Sequence, residues 1–404
     1  MLTQQNRAVV AQSKRGALDC STRHHHTWHG GNFGPHSSRS GRAFIWGFVK
    51  RLMTDVTLLS WTQRYRVIEK RPIAVARACR LEVIRQAPWR TMLQTIPWPD
   101  GKRFAFTVFD DTDHTTLANG PEVYRLLDDL GFRTTKSVWP VKGASTPSVG
   151  GSTCQDPGYG DWARGLKERG FEIALHNVTY HTSTRSEVLA GLEEFRRLFG
   201  GYPNIQVNHA GCFDSIYWGP RRLTGPQRAI YSALTRGRTR GMDGGTDEAS
   251  ASFWGDACQS HITYVRNFVF SDINTLKRCP QMPYHDPDRP LVKQWFASSE
   301  GPDRKAFCRT ISAANQDRLE EEGGACVMYT HFGAADFMDE GRLNSDFVRL
   351  MTRLANKGGW FVPVSELLDH IRSQRGEHAL TSRERRRLER RWLLEKIIVT
   401  RGTS

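Results

Sequence analysis

The chain has 404 residues, of which 38% are hydrophobic, and it carries a formal net charge of +15. The basic excess lies at the two ends, because residues 1–91 carry a net +12, residues 372–404 a net +6 and residues 92–371 a net −3. This distribution argues against a specific nucleic-acid-binding role for the middle of the chain, which would need a basic surface. With no apolar run near the roughly 18 residues of a membrane span and no signal-peptide pattern, we expect a cytoplasmic protein without a transmembrane segment.

Residues 1–91 differ in composition from the rest of the chain. They contain a mixture of Gly, Ser, His and Arg without a consistent helical or strand period, which predicts disorder. We interpret them as a disordered or non-native N-terminal extension, and translation that begins at Met92 would explain it. The domain is expected at residues 92–371, with an irregular insertion at about 212–300, and a basic C-terminal helix and tail follow at 372–404.

Strands and helices alternate from residue 104 onward. "FAFTVF" is typical of a buried strand, and "GPEVYRLLDDLGF" is typical of an amphipathic helix that ends at Gly131. The same alternation continues through the predicted strands "TTKSVW", "FEIALH", "NIQVNH" and "ACVMYT" and the helices between and after them. Strands and helices at this spacing predict right-handed βαβ units and a parallel sheet or barrel.

The last part of the chain predicts one more helix. Thr381 and Glu384 have the spacing of a capping box, and Leu388, Trp392 and Leu393 form an apolar stripe along "LTSRERRRLERRWLLEKII". The stripe indicates a helix that packs on the domain with its arginines in solvent.

Polar residues follow the predicted strands where parallel α/β folds build their sites. They are Asp110, Asp111 and Asp113 after the first strand, His176 and His181 after the third, Asn208 and His209 after the fourth, and His331 after "ACVMYT". One carboxylate and two imidazoles make a three-ligand zinc site with an open position for water. A remaining carboxylate can then accept a proton from that water, and a remaining histidine can donate one to a leaving group.

Three stretches carry a resemblance to a known family. The segments "TVFDD", "HNVTYH" and "GWFVPVSELLDHI" resemble motifs of the NodB-homology polysaccharide deacetylases (carbohydrate esterase type 4) over about residues 100–371. The resemblance implies an α/β fold, a distorted (β/α)7-type barrel, here with an irregular insertion and disordered or loosely packed basic termini. The implied reaction is metal-dependent hydrolysis of N-acetyl groups on an amino-sugar-containing polysaccharide or its precursor.

The resemblance also implies roles for five residues. Asp110 would be the general base, and Asp111, His176 and His181 would bind Zn²⁺ or another divalent cation. His331, in "YTHFG", would protonate the departing amine.

The sequence departs from the family pattern at two places. Four residues separate the two histidines of "HNVTYH" instead of three, and "VNHAGC" stands where the family has an arginine-containing Arg-Pro-Pro-Tyr-like motif. Asn208, His209 and Arg266 are therefore all candidates to orient the base, and Asp113 competes with Asp111 as a metal ligand.

Three further functions stay open at this point, and one of them is nucleic-acid binding through the basic termini. A hydrolase of another non-peptide C–N bond, such as a cyclic amide, would keep the metal site and change the substrate. A catalytically inactive, carbohydrate-binding relative would keep the fold and lose the reaction.

Overall fold

The computed structural model describes residues 96–144 and 147–400. The predicted extension at residues 1–91 and the proposed start at Met92 lie outside these residues, as does the end of the predicted tail at 401–404.

Seven parallel strands form a closed barrel in the order of the sequence. They are β1 (Ala105–Asp110), β2 (Thr135–Val138), β3 (Glu172–His176), β4 (Ile205–Val207), β5 (Tyr264–Phe270), β6 (Gln294–Glu300) and β7 (Ala325–Thr330). The barrel closes because β7 pairs with β1 from Ala105↔Ala325 to Asp110↔Thr330. The predicted (β/α)7-type barrel is therefore confirmed.

Helices surround the barrel and cover the outer faces of its strands. They are α1 (Gly120–Asp129), α2 (Tyr159–Glu168), α3 (Arg185–Phe199), α4 (Gly225–Leu234), α5 (Gly255–His261), α6 (Thr275–Arg278), α7 (Arg304–Thr310), α8 (Ala313–Glu321), α9 (Ser345–Asn356), α10 (Val364–Arg375) and α11 (Ser382–Glu395). Because the strands are covered by these helices outside and by each other inside, every residue of β1 is buried. This explains the continuous apolar run of "FAFTVF".

The insertion predicted at about 212–300 is too long, because that segment contains β5 and β6. The irregular segment proper lies between β4 and β5, at residues 208–263, and holds a 3₁₀ helix (Gly219–Arg222) with α4 and α5. The two strands escape the sequence pattern because the helix between them, α6, has only four residues. No amphipathic period therefore marks this βαβ unit.

The basic C-terminal helix α11 packs on the barrel. Thr381 and Glu384 form the predicted capping box, and Leu388, Trp392 and Leu393 are buried. The indole of Trp392 lies 5.2 Å from the Phe268 ring of β5, measured between ring centroids. This part of the C-terminus is thus packed rather than loose.

Two properties of the described residues bear on the sequence predictions. Six cysteines within them are free thiols. None of the described helices has the length and apolar character needed to cross a membrane.

Candidate metal centre

The candidate site lies where four strands end. β1 ends at Asp110, β3 at His176 and β7 at Thr330, directly before His331, while β4 ends two residues before His209. Because the strands are parallel, all these residues come to the same end of the barrel, which is the end where (β/α) barrels carry their sites.

One carboxylate and two imidazoles meet at this end. Oδ1 of Asp113 lies 3.3 Å from Nε2 of His176 and 3.3 Å from Nε2 of His209. All three residues are buried, and among the described residues they are the group whose ligand atoms are close enough together to hold one metal ion.

The atoms that face each other in this group lack hydrogen-bond partners. Asp113 Oδ1, His176 Nε2 and His209 Nε2 are each buried and unpaired, a costly arrangement unless something binds them. His176 Nδ1 lies 3.3 Å from the carbonyl oxygen of Val207. Since a carbonyl only accepts, Nδ1 carries the hydrogen and Nε2 of the neutral ring has a free lone pair. The residues therefore fit a divalent cation, and two imidazoles with one carboxylate suit zinc.

The charge of Asp113 is set by the same neighbours. Burial alone would raise the pKa of the Asp113 carboxyl, but the surrounding imidazoles, His176 foremost, hold that pKa well below its usual range. Asp113 is therefore a carboxylate, the form a metal requires.

Asn177 fixes the distance between the two ligand histidines. Its backbone has a φ of 51°, in the left-handed region that asparagine tolerates better than most residues. Its Oδ1 accepts hydrogen bonds from the backbone N–H of His209 at 3.2 Å and from Gln206 Nε2 at 2.8 Å. The residue after one ligand thus holds the backbone of the other.

Asp111 lies beside this group and is held by an arginine across the barrel. Nη1 and Nη2 of Arg266, on β5, donate to its two oxygens at 3.0 and 2.6 Å. Asp111 Oδ2 lies 4.0 Å from Nε2 of His176. A carboxylate with both oxygens bound to a buried guanidinium is fixed in place.

Asp110 belongs to the barrel wall instead of the site. Its carboxylate is fully buried and pairs with Lys136 Nζ at 2.9 Å. The Tyr124 hydroxyl and the backbone N–H of Phe332 donate to the same carboxylate at 3.0 and 2.8 Å. Successive residues of a strand point to opposite faces, so Asp110 points toward α1 while Asp111 points into the barrel mouth.

His181 lies away from the ligand group. Its Nε2 accepts a hydrogen bond from the backbone N–H of Ala144 at 3.1 Å, and its Nδ1 lies 2.8 Å from the carbonyl oxygen of Thr182. Both ring nitrogens are therefore engaged by the backbone of loops.

His331 borders the group on the β7 side. Its Nδ1 donates to the carbonyl oxygen of Pro302 at 2.8 Å, and its Nε2 lies 3.4 Å from Asp113 Oδ2. Burial alone would lower the pKa of His331, but Asp113 and the charge of Asp111 raise it to about 9. The ring is thus oriented with Nε2 toward the other site residues.

The structure groups the polar residues at this end of the barrel differently from the roles that the resemblance implies. It places Asp113 and His209 with His176, where the resemblance implies Asp111 and His181. Arg266 holds both oxygens of Asp111, with Oδ2 at 4.0 Å from His176 Nε2 against 3.3 Å for Asp113 Oδ1, and loop backbone engages His181. Asp113 lies in the turn after β1 and His209 in the loop after β4, and their positions just behind strand ends were the signal available in the sequence.

Comparison with known proteins finds similar solved structures. No protein-family model and no curated protein matches the chain. The chain is similar to a probable polysaccharide deacetylase from Pseudomonas aeruginosa PAO1, with 12% identity and a TM-score of 0.39 over 69% of this chain and 94% of that chain. It is also similar to the Bc1960 peptidoglycan N-acetylglucosamine deacetylase, with 12% identity and a TM-score of 0.33 over 67% and 90% of the two chains.

Similarity also extends to an enzyme with another activity. A GH57-type branching enzyme from Pyrococcus horikoshii matches with 10% identity and a TM-score of 0.36, over 69% of this chain and 72% of that chain. Deacetylases are thus among the solved structures similar to this chain. At such low identities, the activities of those proteins are not transferred to this chain.

Proposed function

We propose that the protein is a metal-dependent hydrolase that removes N-acetyl groups from an amino-sugar-containing polysaccharide or its precursor. The observation that carries the proposal is the set of three buried ligand atoms without partners at the carboxyl end of the barrel, on Asp113, His176 and His209. Next to them stand a fixed carboxylate and an oriented imidazole, the two further groups that amide hydrolysis needs.

Asp113, His176 and His209 would hold the metal in this proposal. A divalent ion supplies Lewis acidity, which polarises an amide carbonyl and lowers the pKa of water. Zn²⁺ is the favoured ion because of its preference for imidazole and carboxylate ligands.

Asp111 is the proposed general base. Its carboxylate adjoins the ligand atoms, at 4.0 Å from His176 Nε2, and it accepts the proton of the attacking water. Arg266 orients it through two hydrogen bonds, so the arginine that the sequence lacks after the fourth strand is supplied here by β5.

His331 is the proposed general acid. The hydrogen bond from its Nδ1 to Pro302 fixes the ring, and Nε2 faces the site. Protonation of the departing amine by this nitrogen completes hydrolysis to acetate and a free amino sugar.

The test is acetate release from N-acetylglucosamine oligomers by the zinc-loaded protein. We expect acetate release that EDTA abolishes. Asp111→Asn should lower its rate by roughly 10²–10⁴-fold, and the control His181→Ala should retain it. Ring opening of cyclic amides is assayed in parallel. Zinc-dependent ring opening without acetate release would replace the proposed substrate, and absence of both reactions in zinc-loaded protein would refute the proposal.

A further inference from the structure

Arg222 is a buried cation without an acid. It is the last residue of the 3₁₀ helix Gly219–Arg222, and its side chain is 1% exposed. Its Nε, Nη1 and Nη2 all lack a hydrogen-bond partner. Burying a guanidinium without acceptors for its N–H groups is among the costliest arrangements in a protein interior.

Two tryptophans cover the guanidinium. Its Cζ lies 3.6 Å from the ring centroid of Trp218 and 5.0 Å from that of Trp392 on α11. Aromatic faces stabilise the positive charge, but they offer no acceptor to N–H groups in the guanidinium plane. The indole Nε1 of Trp392 is also buried without a partner. This arrangement, which we call the Arg222 sandwich, therefore contains donors that lack acceptors.

The neighbouring cations already have acids of their own. Arg266 pairs with Asp111 at 2.6 Å, and Lys396 pairs with Glu300 at 3.2 Å. Burial lowers the pKa of Arg222 to about 10, and the positive charge of Arg266 contributes to the decrease. Arg222 thus stays charged at neutral pH, and no oxygen among the described residues accepts a hydrogen bond from its guanidinium.

The Arg222 sandwich lies on the metal-centre side of the barrel. Glu300, the partner of Lys396, is the last residue of β6, and the carbonyl of Pro302 just after it orients His331. Arg266 connects the same region to Asp111. A group bound at Arg222 would therefore lie at the same end of the barrel as the metal centre.

We propose that Arg222 binds an oxyanion, a carboxylate or a phosphate, and that this oxyanion belongs to the substrate. The planar guanidinium fork matches two oxygens of such a group, and an acceptor-only ligand would satisfy donors that the protein leaves unpaired. The assignment to a substrate rests on the proposed deacetylase function and narrows it to acidic N-acetylated sugars. Binding of the anion itself does not depend on that function.

The first experiment measures anion binding on the full chain. Thermal unfolding of wild type, Arg222→Met and Arg221→Gln is followed in sodium phosphate, in sodium acetate and in sodium chloride of equal ionic strength. Arg221 is the matched control, because it precedes Arg222 in the same 3₁₀ helix but is exposed and paired with Asp243 at 2.6 Å. We expect phosphate or acetate to raise Tm in wild type and Arg221→Gln, and not in Arg222→Met.

The comparison of the three proteins distinguishes a built anion site from general salt effects. An equal rise in all three proteins would mean an adventitious ion only and would overturn the proposal, as would the absence of any rise over chloride in wild type. If Arg222→Met does not fold, titration calorimetry of inorganic phosphate into wild type and Arg222→Gln replaces it. The dissociation constant is then expected to rise about tenfold or more in the variant, as for the loss of hydrogen bonds to a charged group.

The second experiment addresses the substrate. We measure kcat/KM in wild type and Arg222→Met for an N-acetylated sugar that carries phosphate or carboxylate and for its uncharged counterpart. The quantity compared is the ratio of the two values, charged to uncharged. We expect the ratio to fall about tenfold in the variant, and an unchanged ratio would overturn the substrate assignment. Failure to hydrolyse either sugar refutes the proposed function, while the phosphate effect on Tm still decides whether Arg222 binds an oxyanion.

Discussion

Replacing Asp113 and Asp111 separately by asparagine distinguishes a metal ligand from a residue fixed by an ion pair. In metal-free protein, Asp113→Asn removes a carboxylate that interacts with His331 at 3.4 Å but whose Oδ1 has no hydrogen-bond partner, so we expect a smaller loss in the free energy of unfolding than for Asp111→Asn. Asp111→Asn instead leaves the buried Arg266 without its acid. Breaking a buried pair in this way costs about 3–5 kcal/mol, which lowers Tm by roughly 6–20 °C at about 2–4 °C per kcal/mol.

Zinc should stabilise Asp111→Asn and leave the stability of Asp113→Asn unchanged. Loss of the charged member of a three-ligand set is expected to weaken zinc binding by about 100-fold or more, since changes to outer-shell residues alone cost about 10–100-fold. Zinc at a hundredfold excess over its Kd stabilises the wild type by about 2.7 kcal/mol. We therefore expect a zinc-dependent rise in Tm in wild type and Asp111→Asn, and none in Asp113→Asn.

The assay is thermal unfolding with EDTA or with added zinc, together with metal content after dialysis. The ligand set Asp113, His176 and His209 would be refuted if Asp113→Asn bound zinc like wild type while folded Asp111→Asn did not bind it. Such a result would return the role of ligand to Asp111, as the resemblance in the sequence implies.

Three further outcomes follow from the structure. Lys136→Met removes the cation that pairs with the buried Asp110 carboxylate. It should lower the free energy of unfolding by about 3–5 kcal/mol, with zinc stoichiometry retained below Tm. Loss of zinc without loss of stability would give Asp110 a role in the site. His181→Ala should leave the zinc affinity within about twofold, since its ring nitrogens contact loop backbone, and metal-free protein after dialysis would show that His181 is a ligand. Burial raises the pKa of Asp214 from 3.8 to about 6. Its ionisation in the folded protein therefore lowers the free energy of unfolding as the pH rises through 6. In EDTA, Asp214→Asn should be more stable than wild type by up to about 3 kcal/mol at pH 8. This difference in stability between variant and wild type should vanish below pH 4, where the carboxyl is protonated in both folded and unfolded chains. A difference independent of pH would contradict the raised pKa of Asp214.

The barrel could be predicted from the sequence where each βαβ unit carries its own signals. β1, β3 and β7 are short apolar runs that end in polar residues, and helices such as α3 and α9 have clear amphipathic periods. The sequence predicts an insertion where β5 and β6 lie, because the helix between these strands, α6, has only four residues and gives no amphipathic period. Their identity as strands depends on pairing with β4 and β7, which a local pattern does not reveal.

The candidate site could be predicted in its location and chemistry but only partly in its members. His176 and His331 lie where the ends of their strands place them. The exchange of Asp111 for Asp113 depends on Arg266, which lies 155 residues away in the chain and meets Asp111 only after the barrel closes. Long-range ion pairs of this kind decide which of several nearby carboxylates is left free to bind a metal.

Anomalous diffraction at the zinc absorption edge, from crystals of the zinc-loaded protein, tests the central claim most directly. We expect one strong peak about 2.0–2.2 Å from Asp113 Oδ1, His176 Nε2 and His209 Nε2, the usual zinc–ligand distances. A peak bound by Asp111 and His181, or none at the carboxyl end of the barrel in protein that contains stoichiometric zinc, would contradict the metal centre and the hydrolysis built on it.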